Sequence, residues 1–549
     1  MSEPKTRHTH PWVVLIVLSL GLFMTLLDLT IVNIAIPSLV DGVHATLDQV
    51  LWMLNGYSLA YAVLLITSGR TGDILGPRTM FVSGVIVFTA ASAFSGLAQT
   101  ADQLIAGRAL QGVGAAMLAP QTLPILLALF PVEKRAPVFA WFGILAGLAV
   151  AAGPTLGGWL TSAFEWRWIF FVNLPVGVIV VALALRLVPD LRPGRKHRLD
   201  LLGVALVTAA LFCVVFGLIE GQRYEWGTVA GFISIPLILG VGVALLAIFG
   251  IYQARRQDRE PLLNFAVFKD RNFTMMSLVL GAMGFAIVGL YLPLTIYYQS
   301  VLGLSAVAAG LIVAIQPGAM FFTSGAANGP AGQKIEPKWL IATGLTLLAA
   351  GSAFIAWSAQ ASSSRWTFVP GLVLSGLGMG MIWGPVYALA TRDLRPELGG
   401  VAAGIVNTVQ ELGAVIASAA VGALLQNRLA LALHDRAVAA SAHLPAGARA
   451  QFVSGFSGAA RGGFEVGAGQ TGANLSGVPP SVAQQVADLA HGVFANAFVD
   501  AMKPTLILPV AVIVAAAVMT LFARRRSQLV PAPAAVAAGA DTTEMQAVA

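Results

Sequence analysis

Three charged side chains stand where charge is expensive: Asp28, Arg108 and Glu411 each lie inside a long apolar run. A carboxylate at membrane depth escapes its desolvation cost by taking up a proton, binding a cation or pairing with a buried arginine. Glu411 therefore reads as a second proton site, as an anchor for a cationic substrate, or as a group hydrogen-bonded within a polar seam. A different kind of chemistry is mechanical. The segment Gly69-Arg-Thr-Gly-Asp73-Ile-Leu-Gly76-Pro77-Arg78 packs charges of both signs, turn glycines and a proline between two apolar runs. It stops one helix and restarts the next almost at once. Asp73 and Arg78 are expected to form a clasp there, with Asp73 near a helix terminus that favours its charge and Gly69 and Gly76 shaping the turn.

The elements that hold these residues follow from composition. The 549 residues are 57% hydrophobic and 10% charged, against roughly 25% charged in a soluble domain. The apolar residues fall in blocks of about 20, the length that crosses hydrocarbon as a helix. Fourteen spans are expected at 12–39, 50–69, 79–98, 103–129, 136–160, 168–187, 201–220, 229–252, 274–298, 305–325, 339–359, 366–390, 400–425 and 505–523. With the N-terminus inside, most Lys and Arg fall in inner segments, so both termini are expected in the cytoplasm of a cell-membrane protein. The first apolar run is too long for a cleaved signal peptide and lacks a small-residue cleavage pattern. The lone Cys213 excludes a disulfide framework. The formal charge of +7 is dispersed between spans, which argues against nucleic-acid binding.

The hinge has a faded copy, Gly329-Pro-Ala-Gly-Gln333-Lys-Ile-Glu336-Pro337-Lys338, after the tenth span. Leu110-Gln-Gly112-Val-Gly114 is likewise echoed by Leu374-Ser-Gly376-Leu-Gly378. The chain thus reads as two related six-helix bundles, 1–187 and 253–523. Between them lie a cytoplasmic linker at 188–200 and two inserted helices in 201–252, and a tail follows at 524–549. The second bundle carries an outer segment, 427–503, between its last two spans. Ser481 is placed to cap a helix there whose apolar residues share one face. That segment is expected to be a tolerated insertion, or to lie on the membrane, gate the outer mouth or meet an extracytoplasmic partner. Gln333 lacks the charge of Asp73, so the second hinge should be weaker.

These motifs resemble those of the major facilitator superfamily, in particular its fourteen-helix drug:proton antiporters. Gly69–Arg78 is similar to the loop between the second and third helices. Leu26-Leu-Asp28-Leu-Thr30-Ile-Val-Asn33-Ile-Ala-Ile-Pro37 is similar to the first-helix signature, and Arg108-Ala-Leu-Gln111-Gly112-Val-Gly114 to the fourth-helix motif. Gly153-Pro154-Thr-Leu-Gly157-Gly158 resembles the fifth-helix antiporter motif. Trp166-Arg-Trp-Ile-Phe-Phe-Val-Asn173-Leu-Pro175-Val-Gly177 resembles the sixth-helix signature. The resemblance implies an all-α fold that exchanges protons for an exported amphipathic small molecule by alternating access. It also implies that the first and fourth helices line one cavity, which makes Arg108 the natural partner of Asp28. Pairing would favour the charged carboxylate and burial the neutral one, a balance suited to loading and releasing a proton. The alternative is a static ion pair.

Direction comes from the fifth-helix motif, in which Pro154 should kink the helix and Gly157 and Gly158 allow close approach. Asn33, Trp52, Tyr57, Gln111, Tyr291, Trp383, Tyr387 and Asn407 are the expected substrate contacts, since aromatics with a polar edge suit amphipathic molecules. The tenth span carries Gln316-Pro317 and no acid, a departure that disfavours dicationic cargo. A dedicated exporter of one endogenous metabolite or lipid precursor is the second reading; a sensor or enzyme is the third. No cofactor, metal site or catalytic constellation is expected. The pattern Gly467-Ala-Gly469-Gln-Thr-Gly472 follows no strand and is discounted as a dinucleotide site. Glu220 is expected to be a solvated carboxylate at a span end.

Overall fold

Several of the long helices start at a residue suited to the task. Thr100, Asp200, Ser234, Asp270 and Ser305 accept backbone N–H groups at helix starts. Gly76, at φ 94°, makes the turn that L side chains resist, and Pro77 opens the next helix. In the computed structural model the described residues are 10–523 apart from 46, 192–199, 222, 259–260, 330–331, 395–397, 443, 445–448, 450–451, 455 and 457–479. Most of the linker 188–200, the tail 524–549 and the Gly467–Gly472 pattern lie outside them.

The long helices are α1 Pro11–Val43, α2 Leu47–Leu75, α3 Pro77–Gly96, α4 Ala101–Leu129 and α5 Val132–Ala163. They continue as α6 Trp168–Leu187, α7 Leu201–Glu220, α8 Ile235–Ala254 and α9 Arg271–Val301. α10 runs as two pieces, Ala306–Val313 and Ile315–Asn328, so the single tenth span expected from hydropathy is broken near its middle. α11 Pro337–Ser358, α12 Val369–Ala390, α13 Gly399–Ser441 and α14 Pro480–Thr520 complete the set. Among the described residues, 12 helices are long and apolar enough to cross a membrane; α2 and α5, of 29 and 32 residues, stand beside them. Large apolar side chains such as Ile86, Val178, Ile251, Phe322 and Trp357 face outward, as lipid-facing surfaces require.

Packing repeats along the chain. α2 and α3 pack on α4, α1 on α5, and α1 and α3 on α6. In the later part α10 and α11 pack on α12, α9 on α13, and α9 and α11 on α14. The seams between these two sets, α2–α13 and α5–α10, exchange under the same correspondence. α7 lies across α2 and α13 through Val207, Leu211 and Val215, and α8 packs on α7. Where α1, α3 and α5 begin, here called the basic face, one core joins both sets: Leu123 and Leu126 share it with Leu389 and Val401. Toward the opposite face the cores divide, one around Ile31 and Trp166 and another around Tyr298 and Phe498.

The last two spans, expected at 400–425 and 505–523, are far longer helices. α13 has 43 residues, about 65 Å of helix, twice the thickness of hydrocarbon. Leu425, Leu429, Leu433 and Ala437 form an apolar stripe that packs against Val493, Phe494 and Phe498 of α14, and Arg436 pairs with Asp500 at 2.7 Å. Much of 427–503 is therefore helical projection. A hydropathy window ends where charge begins, whereas the helix goes on while one face stays apolar.

α5 lies against α1 at two glycines. A Cβ on Gly153 would stand 2.0 Å from Thr30 Oγ1, and one on Gly157 2.8 Å from an Ile31 side-chain carbon. Thr30 in turn donates to the Ala149 carbonyl at 3.3 Å. The α5 backbone stays helical through 154, and the Pro154 side chain lies outside the described residues. Gly153→Val should separate the two helices at a cost of about 1–3 kcal/mol. A lowered thermal midpoint in detergent checks this, with Gly250→Ala, where nothing lies within 4 Å, expected to stay near the parent.

Candidate functional site

Asp28 is fully buried on α1, and five polar side chains from four helices close around it. Arg108 of α4 donates to Oδ2 through Nη1, while Gln111 of α4 and Asn173 of α6 donate to Oδ1 at 2.9 and 3.1 Å. Arg108 also donates through Nε to the Met53 carbonyl at 3.1 Å and through Nη1 to Gln111 Oε1 at 2.9 Å. Its guanidinium sits over the Tyr57 ring, 4.6 Å from the centroid. Ser92 of α3 accepts from both amides, at 3.2 and 3.1 Å, and donates to the Phe170 carbonyl at 2.9 Å. Donors reach both carboxylate oxygens, with the arginine as the paired cation.

Gln111 and Tyr57, expected as substrate contacts, are thus built into this cluster; Tyr57 is 1% exposed and its hydroxyl donates to the Thr25 carbonyl at 3.4 Å. Sequence reasoning missed Asn173 and Ser92 as partners of Asp28. Asn173 lay inside a quoted motif, and an amide within a span is a readable signal. Ser92 carried none.

An aromatic path leaves the cluster toward α12 and α13. Tyr57 and Tyr61 stack with centroids 6.2 Å apart, as do Trp383 and Tyr387 on α12. Half-buried Glu411 of α13 lies within electrostatic reach of both Tyr57 and Tyr61, and Tyr387 within that of Tyr61. Tyr387 donates to Gln410 Oε1 at 3.4 Å. Tyr291 of α9 donates to Gln316 of α10, whose amide reaches Met379 Sδ at 3.3 Å. Asn407 bonds the Ala403 carbonyl of its own helix at 2.9 Å. The Asn33 side chain lies outside the described residues. Trp52 does not join this group: its ring meets Phe216 of α7 at 5.9 Å, in the lateral seam.

At the basic face Asp73 and Arg78, the expected clasp, each contact a different helix. Arg78, beyond the Gly76 turn, donates to the Leu185 carbonyl of α6. Asp73, on the last turn of α2, lies 3.9 Å from Arg70 and faces α13. A Cβ on Gly400 would be 2.0 Å from Asp73 Oδ1, and one on Gly69 2.6 Å from the Gly400 carbonyl. The carboxylate therefore rests on the first turn of α13, the positive end of that helix. Gly158 accepts from Thr161 Oγ1 at 3.2 Å. Glu220, expected to be solvated, is 1% exposed and paired with Arg223 at 3.1 Å.

A family model for the Major Facilitator Superfamily matches residues 18–418. An uncharacterized MFS-type transporter of Mycobacterium tuberculosis, Rv1250, is 38% identical over 77% of this chain and 71% of its own. The tetracenomycin C resistance and export protein of Streptomyces glaucescens is 31% identical over 94% of this chain and 92% of its own. Among solved structures, the human organic anion transporter MFSD10 superposes with a TM-score of 0.56 at 13% identity, over 93% of this chain and all of that one, which bears on the fold alone. With its repeated helix packing and its family match over most of its length, this chain belongs to the Major Facilitator Superfamily of membrane transporters.

Proposed function

We propose that this protein exports amphipathic small molecules in exchange for protons, with Asp28 as the proton carrier. The observation that carries the reading is the buried Asp28–Arg108 pair, a carboxylate whose counter-cation can be released. A proton arriving at Asp28 removes the charge that Arg108 neutralises. The guanidinium then keeps the Met53 carbonyl, Gln111 Oε1 and the Tyr57 face, a set too weak for a buried cation. That imbalance favours rearrangement of α1 against α4, and return of the proton restores the pair. Glu411, on the same path as Tyr57 and Tyr61, is a second group through which cargo bound between the bundles can act on the Asp28 cluster.

The organisation we infer is two six-helix bundles, 1–187 and 253–523, with α7 and α8 inserted, fourteen spans in all and the basic face in the cytoplasm. In the conformation described here that face is closed, and Asp73 on α13 helps to hold it. A second reading, export of a single compound, is supported by the tetracenomycin relative, whose similarity runs over nearly the whole chain. Resistance profiling of an efflux-deficient host across cationic, neutral and anionic compounds separates the two: one protected class supports the dedicated exporter.

Asp28→Asn, nearly the same shape, should abolish efflux driven by a pH gradient in vesicles while the protein still folds; full efflux would refute the proton role. Asp73→Asn loses the charge that meets the α13 terminus and should slow efflux several-fold without loss of expression, given about 0.3–2 kcal/mol for such an interaction. Export rates per molecule of purified protein check this.

A further inference from the structure

We propose that Arg135 is a second latch of the closed basic face, an inference that rests on the alternating-access reading above. Arg135 stands on the first turn of α5 and is buried, 7% exposed. Its guanidinium donates through Nη1 to the Thr391 carbonyl at 3.0 Å, through Nε to the Phe130 carbonyl at 3.3 Å and through Nη2 to the Leu127 carbonyl at 3.4 Å. Leu127 and Phe130 end α4, and Thr391 caps the end of α12. α4 and α12 hold corresponding places in the repeated packing, so two negative helix ends from opposite bundles meet at one cation.

The geometry makes the contact more than local support. Carbonyls in the last turn of a helix lack intrahelical donors, and two such ends side by side repel. A planar fork with several N–H donors satisfies both at once, which a point charge on a flexible stem does less well. Opening the basic face parts α12 from α5, so the bond to Thr391 exists only while the face is shut. Asp73 plays the mirrored role, a negative group on the positive end of α13. Two contacts of opposite polarity thus flank the closed seam, each matched to the helix end it touches.

The test reads seam opening directly and needs neither transport nor a proton gradient, so it can fail while the Asp28 reading stands, and the reverse. Ala403 is 1% exposed, one helical turn from Gly400 on α13, and Cys213 is the only native thiol. In a Cys213→Ser, Ala403→Cys background, maleimide labelling of the purified protein is compared for Arg135, Arg135→Ala, Arg135→Gln and Arg135→Lys. Labelling should accelerate roughly tenfold in the alanine and glutamine variants, as loss of a charged hydrogen bond predicts, with lysine between them and the parent. An unchanged labelling rate in the alanine and glutamine variants, even with a lowered thermal midpoint, would overturn the proposal and leave Arg135 as support for the α4–α5 turn. If the alanine variant does not fold, the glutamine variant decides by the same criterion.

Discussion

A carboxylate and a guanidinium share a buried site, and the helices around it are arranged to tolerate them. Asp28 draws donors from α4 and α6, and Arg108 draws acceptors from α1, α2 and α4. Ser92 of α3 ties the two amides together. Replacing such a buried pair by well-packed apolar groups is often neutral or stabilising, so a fold gains little by keeping it for stability alone. Its retention makes sense where one member must change charge.

In the proposed cycle, the rest of the molecule connects that site to motion. Aromatic and polar groups run from Tyr57 through Tyr61 to Glu411 and Tyr387, crossing from one bundle to the other. At the basic face, charges meet helix ends of opposite polarity: Asp73 at the start of α13, Arg135 at the end of α12. Such contacts weaken with separation and reform without chemistry, which suits a gate. α7, packed on α2 and α13, covers one lateral seam while leaving the face itself free.

Asp28 and Arg108 were legible in the sequence because charge inside apolar runs is rare, their partnership because the resemblance places the first and fourth helices on one cavity, and the hinge because charged turns between spans are rare. Asn173 was half legible, as an amide within a motif, and Ser92 was not, since small residues fill every span. Arg135 was hidden for a different reason: beside Lys134 it reads as a solvated inner-loop charge, and its burial depends on how close α12 comes. The same dependence on tertiary approach explains Trp52, which meets Phe216 of the inserted α7. Asp73 and Arg78 are close in sequence, yet each contacts a different helix. Most spans were readable from hydropathy, whereas the extension of α13 beyond its expected end followed an apolar stripe that a window average conceals.

The central claim is that Asp28 exchanges a proton when cargo binds. The direct measurement is proton release from purified protein in weakly buffered detergent solution, on addition of a compound to which the chain confers resistance. Release from the parent protein, lost in Asp28→Asn with the compound still bound, is the predicted result. Equal release from both proteins, or none from the parent under binding conditions, would contradict the account.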